Sequence, residues 1–305
     1  MKKTLTAIVA IFLAGVCAAA QSLLVQEKSY ERFTQVNAED NFILKFYHGN
    51  SYSVTLKTDE RVAAHVQAYV KNDVLYLILD EKGYSPELKK ELRQKGVPAP
   101  VLEAEVYMPQ FNSLVLKNKT VVAHCDSFTT DTFTLTASDN SLVSQLNVSC
   151  STGEINVSKN AQVTASLEVT SKLYVNASNS SQLTLIQKGG NTFLTQGGSS
   201  YVDMNAAVTT MEVENNSGSQ SHMTGTCSLL KVKGAGLSRF DAELLEATDG
   251  DITLSGSAKC YVDVTNNLKV NITGGALLSF KRNPSFEIER VVNSTLIKAE
   301  DVKKK

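Results

Sequence analysis

The sequence predicts an all-β fold, a parallel β-solenoid of about ten coils behind an N-terminal β cap. From about residue 111 onward, pairs of apolar residues separated by one other residue recur roughly every 19 residues, as at Leu114/Leu116 and Phe133/Leu135. Apolar and polar residues alternate within each unit, and a short turn follows at a fixed phase. Such a period is typical of stacked units that bury a shared core.

The first 20 residues have the build of a secretory signal peptide. Lys2 and Lys3 precede an apolar run from Leu5 to Val16, and a run of alanines ends at Ala20. The run is too short to span a bilayer. Lipidation at Cys17 is the alternative, although the branched Val16 stands where a small residue is expected. Cleavage after Ala20 removes two lysines and changes the net charge from −1 to −3, which gives no basic surface for nucleic acid.

Residues 21–110 are predicted to form a cap of different construction. Strand-like runs lie at 42–46, 52–56, 66–70 and 74–79, and Asn72-Asp73 suits a tight hairpin between the last two. A cap is expected because a solenoid's first coil would otherwise leave an apolar end and open strand edges in water.

One short helix is predicted between the cap and the repeats, over residues 86–95. Ser85 is a good N-cap, Pro86 suits the first turn, and Glu91 and Lys95 stand one helical turn apart. Gly96 closes the segment. We interpret this charge-rich helix as a solvated insertion, with a recognition element as the alternative.

The repeats occupy residues 111–300, and a charged tail follows at 301–305. Further strand openings are Ile155/Val157, Leu173/Val175, Phe193, Met211/Val213, Leu230/Val232, Ile252/Leu254, Leu268/Val270 and Phe286/Ile288. Between strands lie turns such as Ser138-Asp139-Asn140-Ser141 and Gly197-Gly198-Ser199-Ser200, whose small residues and Asn tolerate positive φ. An antiparallel sandwich is the alternative fold, but its irregular hairpins give no reason for the period.

The chain resembles the auto-transporter adhesin family called the head GIN domain. The resemblance covers about residues 30–295 and rests on Arg32-Phe33 to Val36, Phe42 to Phe46, Tyr52-Ser53-Val54, Asn72 to Leu79, Val106-Tyr107-Met108-Pro109 and Phe111-Asn112-Ser113-Leu114. It implies a two-sheeted, right-handed, pectin-lyase-like β-helix in an envelope protein of Bacteroidetes-type bacteria that serves adhesion. The family has no established catalytic residues to carry over. Several turns here are rich in Asn or Ser where the family tends to Gly-Ser-Gly.

No catalytic, cofactor-binding or metal-binding residues are predicted. Asp249 and Asp251 flank Gly250 and form the best local acid pair, but two acids around a glycine are usually a turn. The four histidines, His48, His65, His124 and His222, lack zinc-site spacing. His124 and Cys125 are neighbours on a predicted strand, so their side chains point to opposite faces and cannot form a dyad.

The four cysteines outside the signal peptide are predicted to be free thiols. They are Cys125, Cys150, Cys227 and Cys260, and they fall at different phases of the repeat. Only Cys150 and Cys227 share a face, and the four coils between them exceed the reach of a disulfide, which is roughly 7 Å between Cα atoms.

We therefore predict a non-enzymatic, exported adhesin-like protein of the periplasm, outer surface or medium. Its outward positions are rich in Ser, Thr, Asn and Gln, as at 132–136 and 176–182, which suits many weak contacts with a host matrix, glycan or envelope macromolecule, or with further copies of the chain. The same residues also suit a solenoid surface whose only requirement is to remain soluble. The alternative function is a carbohydrate-binding or carbohydrate-active β-helix protein, although the chain has no Trp to stack on sugars.

Overall fold

The computed structural model describes residues 7–8 and 22–299 of the 305-residue chain. Most of the predicted signal peptide, including Cys17 and Ala20, and the tail 301–305 lie outside the described residues. The strands are β1 (Ala7–Ile8), β2 (Leu23–Ser29), β3 (Gln35–Ala38), β4 (Ile43–His48), β5 (Ser53–Asp59), β6 (Val66–Lys71), β7 (Val74–Leu79), β8 (Leu102–Met108), β9 (Ser113–Leu116), β10 (Val121–Cys125), β11 (Ser127–Ala137), β12 (Leu142–Val143), β13 (Asn147–Val157), β14 (Gln162–Ala177), β15 (Gln182–Lys188), β16 (Asn191–Gln196), β17 (Tyr201–Asn215), β18 (Gln220–Gly234), β19 (Arg239–Leu254), β20 (Lys259–Thr273), β21 (Leu277–Phe280), β22 (Ser285–Val292) and β23 (Thr295–Lys298).

The strands form a β-solenoid of about ten turns, as the sequence predicts. Each coil, or rung, runs along one wall, bends, returns along a second wall and ends in a tight turn. In the coil formed by β14, residues 162–168 pair in parallel with β15 while residues 172–177 pair in parallel with β16. We call the strands that follow each tight turn the post-turn wall and those that precede it the pre-turn wall.

The tight turns adopt left-handed backbone conformations without needing glycine at every one. Asp139 and Asn140, then Asn179 and Ser180, have φ between 52° and 62°. Later turns place Gly198, Gly236 and Gly256 at φ near 70°. Asn and Asp tolerate this region because their short polar side chains can hydrogen-bond to the nearby backbone. Ser is more strained there, because its Cβ lies close to the backbone. The Asn- and Ser-rich turns therefore have the same hand as the Gly-containing ones.

The two walls extend into the N-terminal segment. The pre-turn wall continues from β9 to β3 and β7, and the post-turn wall continues from β10 to β4 and β8. Beyond them, β5 pairs antiparallel with β2 and β8, and β6 pairs antiparallel with β7. The turn between β6 and β7 at Asn72-Asp73 has positive φ at both residues, which confirms the predicted hairpin.

The predicted helix is present as α1, which covers Pro86–Leu92 and ends three residues before the predicted limit. The Ser85 hydroxyl accepts a hydrogen bond from the Leu88 amide, so Ser85 is the N-cap.

One continuous apolar core runs along the solenoid between its walls. The opening predicted at Phe193 is shifted by one residue: Thr192 and Leu194 point inward, while Phe193 faces outward and stacks on Tyr174. Thr192 is buried as a polar residue because its hydroxyl donates to Gln187 Oε1 at 2.7 Å. At the last rung the predicted openings Phe286 and Ile288 are exposed, since no further coil covers them among the described residues.

Candidate interaction surface on the pre-turn wall

Two columns of outward side chains run along the pre-turn wall, because the register of neighbouring strands places each residue beside its equivalent on the next rung. Neighbouring strands are about 4.8 Å apart, so each column is a regular array. The first column is Gln35, Ser113, Thr134, Glu154, Tyr174, Phe193, Glu212, Lys231, Asp251, Lys269 and Glu287. The second is Asn37, Val115, Thr136, Asn156, Asn176, Thr195, Glu214, Lys233, Thr253 and Asn271.

In the N-terminal half of this wall, the two columns are neutral apart from Glu154. The amide of Asn176 donates to Oδ1 of Asn156 at 2.8 Å, and that of Asn156 donates to Glu154 at 2.9 Å. Beside them, the Tyr174 and Phe193 rings are stacked with centroids 5.2 Å apart and an interplanar angle of 20°. This half offers amides and an exposed aromatic face on a rigid frame.

The C-terminal half carries charges that alternate in sign from rung to rung. Lys231 lies 2.9 Å from Glu212, and Lys233 lies 3.0 Å from Glu214. Lys269 donates to Glu289 at 2.7 Å, and this hydrogen bond lowers the pKa of the Glu289 carboxyl. Exposed pairs of this kind add little stability, so their main effect is to give the wall a charge pattern without a large net charge.

The acid pair predicted as the best local candidate for a metal is divided by the fold. Asp249 Oδ1 accepts hydrogen bonds from the backbone amide of Asn267 at 3.2 Å and from the side chains of Asn266 and Asn267. Asp251 instead stands in the first column, between two lysines. Within residues 22–299, no group of three or more His, Cys, Asp or Glu side chains is arranged to hold a metal ion.

Two of the histidines contact the same carboxylate, because the backbone amide of His48 also donates to Asp126, at 2.9 Å. His124 is exposed and lies 3.0 Å from Asp126, whereas its neighbour Cys125 is buried, so the two point to opposite faces as expected. His222 Nδ1 lies 3.1 Å from Asp203 on the preceding rung. We missed this pair in the sequence, although its separation of 19 residues equals the repeat period and signals it.

The four cysteines outside the predicted signal peptide are free and buried. Burial raises the pKa of the Cys227 thiol to about 12. Burial also raises the pKa of the Cys260 thiol. The pKa of Cys125 rises to about 12 for the same reason. Thiols held protonated in a core are poor nucleophiles, so these side chains behave as small apolar residues.

Acidic side chains converge in one groove of about 490 Å³, where Glu39, Asp40, Asp80 and Glu81 are among the lining residues and no tyrosine is. Several of these carboxylates already have partners. Asp40 accepts from Asn118 at 2.8 Å, Asp80 accepts from the Gly83 amide at 3.2 Å, and Glu39 pairs with Lys117. A sugar-cleaving site needs two carboxylates free to face the substrate, with one able to protonate the leaving group.

The class of protein is established by comparison with known families. The family described as "Putative auto-transporter adhesin, head GIN domain" matches residues 32–185 and 138–284. The two matches overlap and together cover most of the chain, so the protein belongs to this family, as the resemblance predicts. The double match also fits a chain made of one repeated unit.

One similar solved structure shares the fold at low sequence identity, and two others have lower TM-scores. A putative adhesin from Parabacteroides merdae is 13% identical, with a TM-score of 0.50, over 91% of this chain and 96% of its own. A putative adhesin from Parabacteroides distasonis is 14% identical, with a TM-score of 0.46, over 90% of this chain and 95% of its own. A putative lipid binding protein from the same species is 11% identical, with a TM-score of 0.44, over 91% and 97%.

No curated protein matches the chain. Among the described residues, no helix is long and apolar enough to cross a membrane.

Proposed function

We propose that this chain is a non-enzymatic, exported adhesin-like protein that binds a macromolecular partner through the pre-turn wall. The observation that carries the proposal is the pair of outward columns, which repeats hydrogen-bonding and charged groups at the spacing of the rungs. A host matrix component, a glycan or an envelope macromolecule is long enough to contact many rungs at once. Individually weak contacts then add up to useful avidity.

The chemistry of the wall supports binding over catalysis. Its groups are exposed to water, and their charges are paired on the surface, as Glu212 is with Lys231. Catalysis by electrostatic stabilisation needs donors aimed into a site that excludes water. The wall provides the opposite arrangement, which suits recognition of an extended surface. Export rests on the predicted signal peptide at residues 1–20.

The test is binding of the purified mature protein to immobilised mucin, extracellular matrix proteins and envelope fractions. Tyr174→Ala combined with Asn176→Ala is expected to lower binding, because both changes remove groups from the neutral half of the wall. The matched control is Thr184→Ala with Asn205→Ala on the post-turn wall. Equal loss in both variants, or hydrolysis of a polysaccharide that Asp249→Ala abolishes, would contradict the proposal.

Carbohydrate binding is a second candidate, and the stacked rings of Tyr174 and Phe193 favour it. Exposed aromatic faces are suitable platforms for sugar rings, and the amides of Asn156 and Asn176 lie beside them. A glycan array separates the two candidates. Selective glycan binding that Phe193→Ala removes supports this one, whereas binding to matrix protein alone rejects it.

We further propose that the chain self-associates through its last rung. Phe286, Ile288, Val291 and Ile297 are exposed there, and Ile288 is 56% exposed. Among residues 22–299, β22 pairs only with β20 and β23 pairs only with β21. Two such ends would cover each other's apolar residues and edges.

Light scattering after size-exclusion chromatography should show a dimer that Ile288→Asp converts to a monomer. The control variant Glu287→Gln should remain a dimer. A wild-type monomer contradicts the proposal.

A further inference from the structure

A groove of about 620 Å³ lies between helix α1 and the first strands of the post-turn wall. Its volume is in the range of small-molecule sites. It is separate from the outward columns of the pre-turn wall. The lining residues are Asn41, Ile43, Leu79, Glu81, Tyr84, Lys89, Leu92, Arg93, Ala99, Pro100, Leu102, Lys119 and Val121.

The groove is apolar where it meets the wall, and the apolar surface continues beyond it. Ile43 on β4 pairs in register with Val121 on β10, which pairs with Leu142 on β12. Ile43 and Leu142 are each 37% exposed. Outward positions of a soluble wall are normally polar, so an apolar stripe across three successive rungs is unusual. Its elongated shape matches a single acyl chain better than a flat partner.

Positive charge gathers on the rim of the same groove. Lys89, Arg93 and Lys119 line it, against one acidic residue, Glu81. Arg93 and Lys119 make no ion pair with other residues of the described range 22–299, so their charges are available to a ligand. Unpaired cations beside apolar surface suit a ligand that carries an anionic group next to an apolar body.

One of the lining residues also carries a buried hydroxyl without a hydrogen-bond partner among the described residues. Tyr84 lines the groove and is only 8% exposed. Its ring packs edge-on against His65, yet its hydroxyl has no hydrogen-bond partner within residues 22–299. Buried hydroxyls are normally satisfied, so this one calls for a water molecule or a ligand oxygen.

We propose that the groove binds a single-chain amphipath with an anionic head. The chain lies on the stripe formed by Ile43, Val121 and Leu142, and the head is held by Arg93 and Lys119. The apolar contacts supply most of the affinity, and the cations supply selectivity for the sign of the head. The ligand is either a free fatty-acid-type molecule or the headgroup and chain of an anionic lipid. This activity goes beyond the binding proposed for the pre-turn wall and does not depend on it.

Isothermal titration with dodecanoate, below its micelle concentration, is the first test. Arg93→Glu combined with Lys119→Glu is expected to weaken binding by about tenfold or more. The control is Lys90→Glu with Lys259→Glu, which makes the same change in net charge at residues outside the groove and outside the pre-turn wall, and it should bind as the wild type does. Dodecyltrimethylammonium, with the opposite head charge, should bind much more weakly.

The apolar contacts are tested separately. Ile43→Ser should weaken dodecanoate binding, whereas Ile186→Ser, at another exposed isoleucine of the post-turn wall, should not. Circular dichroism establishes that each variant is folded. Vesicles then identify the source of the ligand: binding to phosphatidylglycerol vesicles but not to phosphatidylcholine vesicles, lost in the Arg93/Lys119 variant, points to a bilayer lipid.

Three outcomes overturn the inference. The first is no binding of either dodecanoate or anionic vesicles. The second is equal binding of dodecanoate and dodecyltrimethylammonium, and the third is an equal loss of binding in the groove and control variants. Because the pre-turn wall is untouched by these substitutions, the wall's binding to matrix or mucin can fail while the groove succeeds, and the reverse.

Discussion

The side-chain amide of Asn215 donates a 2.7 Å hydrogen bond to the hydroxyl of Ser221, inside the solenoid core. The Ser221 hydroxyl in turn donates to Oε1 of Gln196, which lies one rung before Asn215 and two rungs before Ser221. At this inward position the earlier rungs carry Val157 and Ala177. The core therefore contains one polar cluster that links three successive coils.

Ser221→Ala should lower the free energy of unfolding by about 2–3 kcal/mol, because it leaves a buried donor on Asn215 and a buried acceptor on Gln196 without their partner. Urea unfolding followed by circular dichroism measures the change. Ser199→Ala, on an exposed turn, is the control and should change stability by less than about 0.5 kcal/mol. An equal effect of the two substitutions would show that the cluster does not contribute to stability.

Gly225→Ala should destabilise the protein by about 3 kcal/mol. Gly225 has a φ of +108°, and a Cβ placed on it would lie 2.0 Å from the carbonyl oxygen of Ala206 on the neighbouring rung. Gly96 is the control, because its φ is also positive at +90° but no atom lies within 4 Å of the added Cβ. Thermal melts of both variants separate the clash from the backbone strain, and similar losses would rule out the clash.

Ser180→Gly should stabilise the protein by up to about 1 kcal/mol. Ser180 has a φ of 61°, where a side chain is strained and glycine is not. Ser178→Gly in the same turn is the control and should be destabilising, because there glycine only adds freedom to the unfolded chain. Chemical unfolding of the two variants tests the sign, and a loss of stability in Ser180→Gly would contradict the argument.

Stability should fall as the pH rises from 10 to 12. Burial raises the pKa of Tyr30 to about 12, and burial together with Glu81 raises that of Tyr84 to about 12, from an ordinary value of 10.0. Because the folded state holds these protons more tightly than the unfolded state, the stabilisation is complete below pH 10 and is lost as the pH approaches 12.

Removing both hydroxyls, in Tyr30→Phe with Tyr84→Phe, should lessen this alkaline decline in a series of melting temperatures. The buried thiols of Cys125 and Cys227, whose pKa values are also raised to about 12, account for part of the decline that remains. Tyr69→Phe is the control and should leave the decline unchanged. An unaltered pH profile in the double variant would assign the decline to other groups. Tyr84→Phe alone should not lower stability at pH 7, because its hydroxyl has no partner among the described residues.

The cysteines should react as four free thiols. Unfolded, non-reduced mature protein is expected to take up four alkyl groups, which mass spectrometry counts directly. The folded protein should react far more slowly, since burial keeps the pKa values of Cys125 and Cys227 high. Incorporation of only two groups after unfolding would reveal a disulfide and contradict the rung positions.

The repeat period and the alternation of apolar and polar residues are enough to predict most of the fold. Leu114, Phe133 and Ile155 mark successive coils, and they are buried as predicted. The hairpin turn at Asn72-Asp73 and the N-cap at Ser85 were also predicted correctly, since each depends only on a few neighbouring residues. The prediction that Phe193 points inward was wrong, because a large aromatic residue is typical of a core position. The inward residue is Thr192, which is polar and whose hydroxyl is satisfied by its hydrogen bond to Gln187.

The repeat can be predicted from residue types alone, because every coil buries one face and therefore carries apolar residues at the same positions. The sequence does not show which residues 19 or more positions apart become neighbours, because that depends on how the coils stack. The stack of Tyr174 on Phe193 and the pair of His222 with Asp203 depend on the register of adjacent rungs. The groove depends on how an inserted helix packs against the wall, because its apolar and cationic residues come from segments as distant as Ile43 and Lys119.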